Sequence, residues 1–260
     1  MTAERLTHAV RRQIGLGRLL PLGEASDGAW VTEEAAIAVL DRSVRSVPGV
    51  RLSAVRVELA SPRTAAEPAV PPPPSAMSPG PLTLTAELSA PADRPVPAAA
   101  QEVRDALLAA AERELGLPLE NVDLRVTELV DAGPDGPASE PAAGSEEVSE
   151  TGASGSAGAA HHGAADRVSR AVLAVEGVAR LAPLPGPALS RVAAGPAVAA
   201  VRIEGDPATD RRCHVLLQLG LSPTHRALDT ARAAAAAARS ALGASGTVTV
   251  AVVVTAIDRV

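Results

Sequence analysis

The sequence predicts an α+β protein of two tandem small domains, each a three-stranded sheet covered by two helices in the order helix, strand, strand, helix, strand, joined by a disordered linker. Three observations predict it. First, Val96 to Asp131 reads as an amphipathic helix, a glycine stop and a strand. Val103, Leu107, Ala111 and Leu115 share one helical face, Gly116 suits a left-handed cap, and Val122, Leu124 and Val126 alternate with Asp123, Arg125 and Thr127. Second, the same unit recurs from Pro223 to Asp258: Leu228, Ala231, Ala235, Ala238 and Leu242 form a stripe, Gly243 stops it, and Val248, Val250, Val252 and Val254 alternate. Third, each unit has a helix ending in Val-x-Gly-Val upstream, at Val47 to Val50 and at Val175 to Val178. Val50 lies 81 positions before Asp131 and Val178 lies 80 before Asp258. Matched landmarks at matched spacing indicate a duplicated unit.

Composition bounds what the pair does. The 260 residues suffice for two domains of ordinary size. Phe and Tyr are absent and Trp30 is the sole aromatic, so Val, Leu, Ile and Ala must fill the core. All 24 cationic side chains are arginine, which with the Ala, Pro and Gly load reads as the codon bias of a GC-rich bacterial genome. The net charge of -6 and the missing aromatics argue against a nucleic-acid partner. One cysteine, Cys213, excludes an internal disulfide and suits a reducing cytoplasm. The apolar run Val248 to Ile257 falls short of the roughly 20 residues of a spanning helix, and no secretory signal is evident, since Arg18 and Pro21 follow Arg11-Arg12 where an apolar region would be needed. The expected location is the cytoplasm.

Taken in order, residues 1–29 form a basic amphipathic segment. Leu6, Val10 and Ile14 line one side of a short helix, and Leu16, Leu19, Leu20 and Leu22 extend its apolar content. Arg11, Arg12, Arg18, Leu19, Leu20 and Trp30 are the residues expected to dock on a partner or an anionic membrane surface; the competing expectation is a helix packed back onto the first domain. That domain spans 30–131. Thr32 caps a helix whose stripe is Ala36, Ile37, Leu40, Val44 and Val47, ended by Pro48-Gly49. Val55, Val57 and Leu59 give the first strand and Leu82, Leu84, Ala86 and Leu88 the second. Between them, residues 61–81 are proline-rich and read as a stiff, exposed insertion.

Residues 132–165, rich in Gly, Ala, Ser and Glu and lacking arginine, read as a disordered acidic linker in which His161-His162 are solvated. The second domain, 166–260, is a shorter and degenerate copy: Val168, Val172 and Val175 for its first helix, Val198, Val201 and Ile203 for its first strand, Val215, Leu217 and Leu219 for its second. Asp206 to His214 is the one polar cluster with chemically capable groups, and His225 and Asp229 stand one turn apart nearby. A hydrolase or transferase using Cys213 and His214 is therefore a rival reading, but strand neighbours point to opposite faces and no supporting motif is present. Neither a phosphate-binding loop, a nucleophile elbow nor a paired-cysteine metal site occurs. No catalytic, cofactor or metal residues are assigned.

The run Trp30-Val31-Thr32-Glu33-Glu34, then Val47-Pro48-Gly49-Val50, two strands, a helix ending at Leu115-Gly116-Leu117 and the strand Val122 to Asp131 resembles the alkaline-shock protein family of bacterial envelope-stress proteins. The resemblance covers Trp30 to Asp131 and, more loosely, Asp166 to Asp258, and the opening GLGRLLPLG with the tandem layout is similar to the form found in GC-rich bacteria. The proline-rich insertion, the acidic linker and the degenerate second copy depart from the family's pattern. The resemblance implies a non-enzymatic scaffold at the cytoplasmic face of the membrane, held by a small membrane-anchor partner, self-associating and supporting envelope homeostasis under stress. An RNA-binding module is the second rival, since the same element order occurs among RNA-binding domains.

Overall fold

A computed structural model of the chain describes residues 17–130, 159–182, 200–205, 212–243 and 246–258. Within these, the first unit follows the order helix, strand, strand, helix, strand, and the second departs from it by carrying three strands between its helices. The first unit is α1 (Glu33–Val44), β3 (Arg51–Leu59), β4 (Leu82–Pro91), α2 (Val96–Ala110) and β5 (Leu119–Val130); the second is α3 (Ala159–Leu173), β6 (Val178–Leu181) with β7 (Val201–Glu204), β8 (Arg212–Leu221), α4 (Ala227–Leu242) and β9 (Thr247–Ile257). A hairpin of β1 (Leu19–Leu22) and β2 (Ala29–Thr32) precedes both. The class is α+β, with two mixed sheets and four helices.

The units match in detail. β4 runs antiparallel to β3 and parallel to β5; β8 runs antiparallel to β6 and β7 and parallel to β9. In β5 the register slips after Leu88↔Val126, and in β9 after Leu219↔Val254. At both slips a threonine hydroxyl donates to the partner strand, Thr127 to the Leu88 carbonyl (3.5 Å) and Thr255 to the Leu219 carbonyl (3.2 Å). Val254 and Val126 are therefore equivalent positions, as are Val252 and Leu124, and Ile257 and Leu129.

The hairpin departs from the expected division. Instead of opening the first unit, β2 pairs in parallel with β9, Ala29↔Val252 to Val31↔Val254, and extends the second unit's sheet to the order β1-β2-β9-β8-β6, with β7 also on β8. The reason is direct: β2 leads without a break into Thr32, whose hydroxyl accepts from the Ala35 amide at 3.3 Å and caps α1. α1 consequently lies against β3 on one side and β2 and β9 on the other. Its buried set includes Ala35 and Val39 beside the expected Ala36, Leu40 and Val44, because both of its sides are covered. One continuous core takes in Leu40, Leu88, Leu107, Leu115, Leu217, Ala235 and Val254 from both units. A core without aromatics gains its buried area this way, with thin Ala- and Val-rich helices covered on more than one side.

Three further expectations change. The proline-rich stretch is exposed over residues 62–67, as expected, but its later part is anchored: Leu19 donates to the Ser75 carbonyl (3.2 Å), Met77 to that of Leu19 (2.9 Å), and Val70, Pro73 and Pro79 are buried. Val70 covers Leu19, Trp30, Ala251 and Val253 on the outer face of the second sheet, which is why β9 is buried on both faces where alternation predicted one. The first strand of the second unit is two short strands, β6 and β7, holding successive stretches of one β8 edge. Finally, α3 starts at Ala159, inside the stretch read as linker, and buries Ala164, Val168 and Val172. The rest of that linker and the expected N-terminal helix lie outside the described residues.

Gly116 and Gly243 end the two long helices with φ of +82° and +54°, as expected of left-handed caps. They differ in surroundings. A Cβ at Gly116 would sit 2.5 Å from that of Leu228 in the other unit, whereas one at Gly243 meets nothing within 4 Å. Gly243→Ala should therefore cost about 1 kcal/mol, for backbone strain alone. Gly116→Ala should cost about 1–3 kcal/mol more, since it also wedges the units apart. Denaturant midpoints of the two variants check the difference.

Candidate functional site

Of the residues expected to dock outward, Arg11 and Arg12 lie outside the described residues. Leu19, Leu20 and Trp30 are corrected: they are buried to within 1 % exposure. Trp30 sits on the outer face of β2 and its indole N–H donates to the Met77 carbonyl at 3.1 Å. Strand alternation puts Leu19 and Trp30 against Val253 of β9 and Val70 of the proline-rich cover, and Leu20 into the main core, so none presents a surface. Arg18 is a brace, pairing with Glu33 Oε1 at 2.9 Å and donating to the Val57 carbonyl at 2.7 Å.

The polar cluster of the second unit does not converge. Cys213 is buried on the inner face of β8, and His214 lies on the other, with Nδ1 2.9 Å from Thr249 Oγ1. His225 follows the far end of β8, about 25 Å from Cys213 along the strand at roughly 3.3 Å per residue. It faces Glu176 (3.3 Å) and Thr224 (2.9 Å), while Asp229 faces Arg226 and Arg232. Asp206 to Arg211 lie outside the described residues. Among the described residues no group of three His, Cys, Asp or Glu side chains is placed to hold a metal ion, and no helix is long and apolar enough to cross a membrane.

Several polar side chains tie the hairpin and the two units together. Arg232 grips Asp27 through two bonds, Nε to Oδ1 at 2.7 Å and Nη2 to Oδ2 at 2.9 Å. Burial works to raise the Asp27 pKa, but the Arg232 bonds, the Glu24 amide and the Arg232 charge together hold it below the usual carboxylate value. Arg226 donates to the Glu112 carbonyl (2.8 Å) and Arg42 to that of Ile257 (3.3 Å).

The two units differ most at their last strands. β9 is closed on its free side by β2, and the Val252 amide donates to the Gly28 carbonyl at 2.9 Å. β5, its equivalent, pairs with β4 alone among the described residues and is there a sheet edge. The inward stripe of β9, Val250, Val252, Val254 and Ile257, is at most 5 % exposed. In β5 the stripe begins buried at Val122, turns half-buried at Leu124 and Val126, and reaches 58 % exposure at Leu129, followed by Val130 at 42 %. On the outer face Asp123 and Arg125 are exposed, Asp123 accepting from Asn121 at 3.0 Å and Arg125 standing 3.9 Å from Glu87. Sequence reading passed over this edge, although a signal was there: β9 carries no charge on either face, as suits a central strand, whereas β5 alternates with charges.

Compared with known proteins, the chain matches no protein-family model, no curated protein and no solved structure.

Burial holds the His214 pKa below its ordinary 6.5, against an opposing pull from Glu204. The unfolded chain thus takes up this proton first as pH falls. The contribution of the neutral ring is complete above 6.5 and is lost as pH drops through the folded value. Between about pH 7 and about pH 5 the unmodified chain should lose more stability than His214→Gln. Urea unfolding of both proteins at the two pH values measures it.

Proposed function

We propose that the chain is a non-enzymatic scaffold of the bacterial cell envelope, built from two duplicated α+β units and acting at the cytoplasmic face of the membrane. The observation that carries this reading is the unequal closure of two otherwise matching units. The second unit is sealed by the hairpin; the first keeps an open strand edge with an apolar stripe along it, the form in which sheets recruit further strands. The alkaline-shock resemblance of Trp30 to Asp131 adds the cellular setting, a small membrane-anchor partner and self-association. Separation of Cys213 from His214 and His225 weighs against hydrolase or transferase chemistry. Burial of Trp30, the sole aromatic, removes a stacking platform and weighs against RNA binding.

Membrane recruitment then falls to the basic residues before Gly17, including Arg11 and Arg12, or to an anchor that recognises the folded body. Fractionating cells that carry the full chain, or a version lacking Thr2 to Leu16, separates these. The full chain should pellet with membranes under stress and be released by salt or mild detergent. If the shortened chain stays in the supernatant, the N-terminal residues dock; if it pellets, the body does. A full chain wholly in the supernatant under stressed and unstressed growth contradicts the envelope role.

A further inference from the structure

We propose that β5 pairs with the β5 of a second molecule of this chain, antiparallel about a twofold axis at Leu124, joining two three-stranded sheets into one of six. The inference rests on the scaffold reading and names its partner as a second copy. The edge is oriented for it. Leu124 is equivalent to Val252, whose amide reaches across the edge to the Gly28 carbonyl, so the Leu124 amide points to the open side. The neighbouring Val122 carbonyl accepts a long bond of 3.3 Å from Arg104, which an incoming amide replaces.

Charge selects the occupant and the register. With Leu124 opposite its own copy, Val122 faces Val126 on the inner side, and on the outer side Asp123 faces Arg125 and Arg125 faces Asp123. Both faces are complementary at once. Moving the axis one residue toward either end sets Asp123 against Asp123 or Arg125 against Arg125, and like charges directly opposite are unfavourable. A slip of one residue between the strands turns the charges onto the apolar face. The bulge at Thr127 ends the ladder, so Glu128 is carried out of register before it meets Glu120. Beyond it, Leu129 and Val130 leave the most exposed apolar surface of the strand at the rim of the contact. Because the same patch serves both molecules, the assembly closes at two and leaves no edge of β5 to propagate.

The test uses the full chain, two single reversals and their combination. Asp123 and Arg125 are exposed, so Asp123→Arg and Arg125→Asp leave the fold intact, which circular dichroism verifies. Sedimentation equilibrium should show the unmodified chain moving from 26.1 kDa toward twice that mass as concentration rises to several hundred micromolar. Each single reversal should raise the dissociation constant about tenfold or more. The double reversal should restore it, and a mixture of the two single variants should form heterodimers more readily than either associates alone. A chain that stays monomeric throughout, or one whose dimer ignores the reversals, overturns the proposal. The outcome is separable from the envelope reading: a charge-dependent dimer absent from membranes removes that reading alone, and a membrane-bound chain without such a dimer removes this one.

Discussion

The parallel pairing of β2 with β9 is the constraint on which the rest of the structure depends. It carries the start of the chain across to the last strand of the second unit. Because α1 begins at the next residue, it also fixes α1 between the sheets. The polar ties follow from that placement. Arg18 braces the hairpin against Glu33 and β3, Arg232 holds its turn through Asp27, and Arg42 reaches the end of β9. Helices rich in Ala and Val bury little area per residue. Folding both units into one core raises the apolar area that each helix removes from water.

The same pairing makes the molecule unequal. A hairpin precedes the first unit and closes the second; no strand among the described residues closes β5. Two strands with the same bulge and the same threonine bond thus meet different fates, with Ile257 5 % exposed and Leu129 58 %. Edge strands are usually blunted by charge or cover. Here Asp123 and Arg125 supply charge in an arrangement that is self-complementary in one register, which turns protection against random pairing into selection of a specific mate. Pairing of that kind suits a scaffold, in which assembly is the activity.

Much of the fold was legible because it is local. Helix stripes such as Val103, Leu107, Ala111 and Leu115, the Thr32 cap, the Gly116 and Gly243 stops and the alternation in β4 follow from the residue pattern, and their side chains lie where the pattern puts them. What escaped was long-range. Leu19, Leu20 and Trp30 read as an exposed apolar segment because nothing local says that their hairpin docks through β2 on β9, more than 200 positions away. The anchored part of the proline-rich stretch escaped for the same reason, since Val70 and Ala76 meet a distant sheet. The charge alternation of β5 against the uncharged β9 did signal an edge, but only comparison of the two strands in their sheets gives it meaning.

The most direct measurement of this account is residue-resolved amide exchange at the two equivalent positions, Val252 and Leu124, over a range of protein concentration. The account predicts that Val252, bonded to Gly28, exchanges slowly at every concentration, while Leu124 exchanges fast when dilute and slows as concentration rises. Equal protection of both amides in dilute solution, or exchange at Leu124 that ignores concentration, would contradict it.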